Sequence, residues 1–155
     1  MAMLLCPGLV DIATEAALMH DLGKTEIDDR IIFKPGLLDE DEWKAMRRHP
    51  VIGADLIIKN KVKPLNGNRV EVGMAVLHHH ERFDGTGYPD GIGGEDIPIT
   101  ARIIAVADTF DAMTTDRQYR KAMSKEDALK EIIRCSGTQF DPGVMQVLVN
   151  AKVTF

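Results

Sequence analysis

A chain of 155 residues with 45% hydrophobic, 28% charged and only 5% aromatic side chains has the make-up of one soluble globular domain, able to bury roughly 70% of its unfolded surface without disulfide or metal staples. Lysine plus arginine number 19 against 24 aspartates and glutamates, and the net charge of −5 argues against bulk attraction to nucleic-acid polymers or anionic membranes. No apolar run reaches the roughly 18 residues of a membrane span, and the first ten residues lack the basic start and cleavage site of a signal peptide.

In chain order, the apolar spacing is helical rather than alternating, with no internal repeat. A helix is predicted over Ile12 to Asp21, with Ile12, Ala13, Ala16, Ala17 and His20 on one face, ended by Gly23. Lys24 to Leu38 reads as loop with a short turn at Asp28 to Ile31. Asp39, with Glu42 three residues on, forms a capping-box variant that starts a helix through Arg48. Pro50 breaks it and allows a new helix from Val51 to Lys59. Val70 to Arg82 is the next helix, followed by Gly85, Gly87, Pro89, Gly91, Gly93 and Gly94 in an exposed loop. Ile99 to Met113 is a strongly apolar helix, Ser124 caps one reaching Cys135, and Pro142 to Ala151 is the last. The expectation is an all-α bundle of about seven helices around a single core.

Several polar residues fall where this pattern calls for core. His20-Asp21 closes an apolar helix, and Asp108 follows Ile103 to Ala107. A buried carboxylate costs several kcal/mol unless paired or metal-bound. The plain alternatives are a hydrogen-bonded core histidine and, for Asp108, a salt bridge to Arg102 or Arg117. In His78-His79-His80, helical phase groups His79 and His80 with Val72, Val76 and Phe83, and leaves His78 on a flank. His49 adds a third segment. Four imidazoles, two carboxylates and no sulfur exceed one zinc site and suit two Fe, Mn or similar ions bridged by a carboxylate and by water or hydroxide. Lys24 lies near the His20-Asp21 pair, either as a phosphate contact or as a solvated loop lysine. Arg117 and Arg120 suit phosphate oxygens, or a surface cluster with Asp111 and Asp116. Cys6 and Cys135 form no C-x-x-C pair, which fits a reducing, cytoplasmic setting.

His20-Asp21-x-Gly23-Lys24, His49-Pro50-x-x-Gly53, His79-His80-Glu81-Arg82-Phe83-Asp84-Gly85-x-Gly87-Tyr88-Pro89 and Ala105-Val106-Ala107-Asp108 resemble the HD-GYP branch of the HD phosphohydrolase superfamily. The resemblance implies a bacterial, all-helical, metal-dependent phosphodiesterase that hydrolyses cyclic di-GMP, or a related cyclic dinucleotide, to the linear dinucleotide or GMP. It implies metal ligation by His20, Asp21, His49, His79, His80 and Asp108, with Asp21 bridging two ions, iron or manganese, and attack by a metal-bridging hydroxide. By the same resemblance Lys24 contacts phosphate, Tyr88, Arg117 and Arg120 hold substrate, and the loop from Gly85 to Gly94 is a docking surface for GGDEF-domain proteins.

One departure stands out. Family members begin with a further helix that in some supplies a Glu ligand to a third metal, whereas only 19 residues precede His20 here and Glu15 is too near to serve. A third metal is thus unsupported, and residues 1–155 are expected to be one HD-GYP domain truncated at its start. Two alternatives remain open: a general HD phosphohydrolase of nucleotides or other phosphoesters, and a catalytically silent binding module. The first would not need the Gly-Tyr-Pro loop, and the second would be expected to lose ligands.

Overall fold

The computed structural model describes residues 7–59, 61–65, 68–116 and 121–150. Within them lie eight α-helices, two 3-10 turns and, for extended structure, one isolated bridge between Ser136 and Phe140. Helix α1 spans Pro7–Met19, and a 3-10 turn, Leu22–Glu26, follows it. Then come α2 (Asp29–Ile32), α3 (Glu40–Met46), α4 (His49–Ile58) and α5 (Arg69–Leu77). A second 3-10 turn, Gly94–Asp96, precedes α6 (Ile99–Thr114), α7 (Lys125–Arg134) and α8 (Pro142–Asn150).

The predicted caps form. The Asp39 side chain accepts from the Glu42 N–H at 3.0 Å while Glu42 Oε2 accepts from the Asp39 N–H at 2.7 Å, and Ser124 Oγ accepts from the Asp127 N–H at 3.1 Å. Two helices start earlier than the spacing predicts. Helix α1 begins at Pro7 rather than Ile12, and α4 includes His49 and Pro50. Proline has no N–H to lose in a first turn, and its fixed φ suits one, so it opens these helices instead of merely ending the segment before.

Helices α1, α4, α5 and α6 bury Ala16, Ile57, Val72, Ala75, Val76 and Ile104 in one cluster. A second cluster, Val106, Ile132, Phe140, Val144 and Met145, joins α6 to α7 and α8. Helix α6 therefore serves both halves, and Arg102 secures the join through Asp141 at 2.5 Å. Arg102 is thereby committed away from Asp108. The 3-10 turn lies tightly on α4: a Cβ on Gly23 would sit 2.0 Å from the His49 carbonyl oxygen, so only glycine permits this approach.

Helix α5 stops at Leu77, short of the predicted Arg82. A continuing helix would give the Val76 carbonyl to the His80 N–H, but the His79 ring takes it at 2.6 Å. The Gly-rich segment, predicted to be exposed, is mostly half-buried, and Glu81 and Ile97 are fully buried. Its backbone is paired: the Tyr88 N–H donates to the His80 carbonyl at 3.2 Å, that of Gly94 to Phe83 at 2.9 Å, and those of Phe83 and Asp84 to Gln139 and Thr138 at 3.2 and 2.8 Å. At Gly87 a Cβ would meet the Arg82 nitrogen at 2.4 Å, so this glycine is needed for packing rather than for flexibility.

Candidate metal centre and binding cavity

His20, His49 and His79 all bond backward to a carbonyl three residues earlier. Their Nδ1 atoms lie 2.6 Å from the Ala17 oxygen, 2.8 Å from that of Met46 and 2.6 Å from that of Val76. A carbonyl oxygen only accepts, so Nδ1 carries the hydrogen in each neutral ring and Nε2 keeps its lone pair. This is the arrangement in which metal-ligating histidines are held, with the outer nitrogen donating to a carbonyl.

Those lone pairs face one another and the carboxylates. His49 Nε2 lies 3.4 Å from His79 Nε2. Asp21 divides its two oxygens: Oδ1 is 3.5 Å from His49 Nε2 and Oδ2 is 3.5 Å from His20 Nε2. His20 Nε2 is also 3.6 Å from Asp108 Oδ1. The His80 ring is 4.0 Å from that of His79, centre to centre, and His49, His79 and His80 each direct one nitrogen into a common volume. Two subsets emerge, His20 with Asp108 and His49 with His79 and His80, and Asp21 touches both. Two acceptor nitrogens 3.4 Å apart beside a carboxylate repel unless a cation lies among them, so the donor set fits divalent ions.

The electrostatics agree. Burial holds His79 at about 3 and His80 at about 4, with neighbouring imidazoles pushing the same way, and burial also lowers His49. All three are neutral ligands at pH 7. His20 moves up because its bond to Asp108 favours the imidazolium, against the effect of burial. For Asp108, burial favours the acid form, but the bond and charge of His20 prevail and hold it at about 2.

The cluster floors a cavity of about 500 Å³, whose lining joins Asp21, Lys24, His80 and Asp108 to the apolar Ile31, Leu37, Trp43 and Met46. That size suits a ligand of several rings. Lys24 Nζ donates to Asp21 Oδ2 at 2.6 Å. Tyr88 stacks on His80 with ring centres 4.9 Å apart and planes 29° from parallel. Burial raises its phenol well above the usual range, so the hydroxyl keeps its hydrogen.

Of the candidates, His20, Asp21, Lys24, His49, His79, His80, Tyr88 and Asp108 therefore converge, while Arg117 and Arg120 lie outside the described residues. His78 departs from expectation: it is 4% exposed, buried against Glu81 and Asp90 rather than on a flank. Sequence reasoning missed Trp43 and Arg47. The Arg47 guanidinium lies 5.3 Å from the Tyr88 ring centre and 6.0 Å from that of Trp43. The available signal was the only tryptophan of the chain, half-exposed on a charged helix with an arginine one turn on.

The HD domain family model matches residues 10–144. A cyclic di-GMP phosphodiesterase response regulator of Xanthomonas campestris pv. campestris is 44% identical over 145 residues, 92% of this chain and 37% of that protein. The 3'3'-cGAMP-specific phosphodiesterase 2 of Vibrio cholerae is 37% identical over 139 residues, 90% of this chain and 26% of that protein. The chain spans about a third of the length of these curated relatives. Among solved structures, the crystal structure of a cyclic GMP-AMP-specific phosphodiesterase of Vibrio cholerae matches with a TM-score of 0.69 over 97% of this chain and 40% of that one, at 20% identity, a likeness of fold.

Proposed function

Since the chain belongs to the HD domain family, in its HD-GYP branch, we propose that it is a bacterial, metal-dependent phosphodiesterase that opens a cyclic dinucleotide, cyclic di-GMP or the mixed cyclic GMP-AMP. The observation that carries this reading is the set of acceptor nitrogens and carboxylates at the floor of the cavity, above all the 3.4 Å approach of His49 Nε2 to His79 Nε2. The names of the relatives support the substrate class.

On this reading His20, Asp21 and Asp108 hold one ion, and Asp21, His49, His79 and His80 a second, iron or manganese in both places. When bound, such a pair supplies an acidic water near neutral pH and positive charge against a phosphoryl oxygen. Lys24, 2.6 Å from Asp21 at the cavity floor, places its ammonium where it would meet a non-bridging phosphate oxygen as charge builds there. Tyr88 donates its phenol hydrogen to the substrate. Trp43 and Leu37 offer apolar surface to the bases, and Arg117 and Arg120 grip the second phosphate. Residues 1–155 act as a single domain, placed in the cytoplasm, where its loop would meet GGDEF-domain partners.

The test is to load the chain anaerobically with iron or manganese, count the ions, and separate the products formed from cyclic di-GMP and 3'3'-cGAMP. About two ions per chain and a linear dinucleotide or mononucleotide are expected. Fewer than two ions with neither substrate cleaved would overturn the assignment. Arg117→Ala is expected to raise KM with the ions retained.

A further inference from the structure

The turn that carries His79 and His80 also carries a second group of ligating atoms. His78 Nδ1 lies 3.8 Å from Glu81 Oε1 and 3.8 Å from Asp90 Oδ2. The His78 side chain is 4% exposed and that of Glu81 is 0% exposed. Glu81 Oε1 accepts from the N–H groups of Asp90 at 2.7 Å and Gly91 at 3.0 Å, which draws the far end of the loop back onto its start. Glu81 Oε2 and His78 Nδ1, both buried, have no hydrogen-bond partner among the described residues.

A buried polar atom without a partner is costly, and more so when it belongs to a carboxylate. At 3.8 Å the His78 ring hydrogen-bonds neither carboxylate, so proton sharing does not relieve the strain. One imidazole nitrogen and two carboxylate oxygens within 4.8 Å of one another form the protein half of a cation site. Ligands on a tetrahedral ion of the zinc type stand about 3.4 Å apart, given metal–ligand lengths near 2.1 Å. The two distances from His78 exceed that separation by roughly 0.4 Å, and the exposed Asp90 side chain can move to set its own distances. A mixed nitrogen and oxygen set favours a first-row transition ion over calcium.

We propose that His78, Glu81 and Asp90 form a single-ion site for zinc or a similar transition metal, separate from the cluster of His20, Asp21, His49, His79, His80 and Asp108. Its role is to fasten the loop. The ion would join Glu81, at the loop's start, to Asp90, just past the Tyr88-Pro89 pair, and so fix the segment that presents Tyr88 to the cavity.

The experiment uses the full chain with Asp21→Asn and His49→Gln, which disable the other cluster. Metal-stripped protein is dialysed against zinc, zinc content is measured, and amide hydrogen exchange is followed at Asp90 and Gly91. One zinc per chain is expected, with exchange at both amides slowed at least ~10-fold. Adding Asp90→Asn, at an exposed position that leaves the fold intact, is expected to weaken zinc uptake at least ~10-fold, and His78→Gln to abolish it. No zinc uptake in the starting variant, or uptake and exchange unchanged by Asp90→Asn, would overturn the proposal. Neither result bears on the phosphodiesterase reading, whose ions are counted in the unsubstituted chain.

Discussion

His49 Nε2 and His79 Nε2 approach to 3.4 Å although neither has a hydrogen to offer, because each ring's hydrogen is donated to a backbone carbonyl. Asp21 is the charged group that meets both His49 and His20. Asp21→Asn removes that charge while keeping the volume, and the side chain is partly exposed, so the fold should survive. Metal content should fall below one ion per chain and turnover by at least ~100-fold. Unchanged metal content alongside a native circular dichroism spectrum would refute the bridging role.

The metal-free protein should lose stability in mild acid. His79 and His80 are held at about 3 and about 4 in the fold, against an ordinary value of 6.5. Their contribution is fully present above pH 6.5 and fades as the pH falls toward the folded values, because the unfolded chain then binds more protons. His20, shifted upward, acts the other way: its contribution is present below pH 6.5 and lost as the pH rises through its folded value. His49 is also held low, so the downward shifts dominate. Tm should be ~5–10 °C lower at pH 5 than at pH 7, and equal melting at both would contradict it.

Asp108→Asn should bring the His20 titration down. The bond to Asp108 is the largest influence holding His20 up, and burial opposes it. With the carboxylate neutralised, burial prevails and the midpoint should fall. Imidazole resonances of the metal-free protein followed against pH would measure this. A midpoint that stays in place would show that another group sets it.

Gly23→Ala tests the seating of the 3-10 turn on α4. The added methyl group would lie 2.0 Å from the His49 carbonyl oxygen and 2.7 Å from the Gly53 nitrogen, both backbone atoms that cannot rotate away. A loss of about 3 kcal/mol or more is expected in urea unfolding. Metal uptake should weaken as well, since the displaced backbone carries His49.

Trp43→Ala should separate binding from chemistry. Trp43 lines the cavity beside its apolar residues and is not among the groups that could hold an ion. The variant should raise KM by ~10-fold for a cyclic dinucleotide, the worth of a base stacked on an aromatic ring, with kcat and metal content near those of the parent. A drop in kcat at unchanged KM would remove Trp43 from the binding surface.

His20, Asp21 and Asp108 are legible in sequence because they fall in or at the end of an apolar helical stripe, where a solvated position is scarce, whereas His49, preceded by Arg47 and Arg48, is legible through its place before Pro50 and the His49-Pro50-x-x-Gly53 pattern. The capping box at Asp39 and the cap at Ser124 are legible because both partners lie within one turn. Phase reasoning turns His79 inward as observed but fails at His78, since it presumes a helix that the His79 ring itself ends by taking the Val76 carbonyl. The pairing of Arg47 with Tyr88 escapes any local rule, because it joins α3 to a distant loop. The half-burial of that loop likewise depends on Thr138 and Gln139, far along the chain.

The backward bonds of the three rings tie ligation to helix integrity. Ala17, Met46 and Val76 lie in the final turns of α1, α3 and α5, where carbonyls lack intrahelical partners and the helix dipole is negative. Each imidazole thus caps a helix with one nitrogen and offers the other to the cluster. Three negative helix ends converge on one volume and favour positive charge there before any carboxylate is counted. An exchange of one of these histidines for aspartate or cysteine would remove a cap along with a ligand, and would set a second negative charge against the dipole. Ligand exchange by single substitutions is therefore obstructed from the backbone side: a different donor set would require different helix ends.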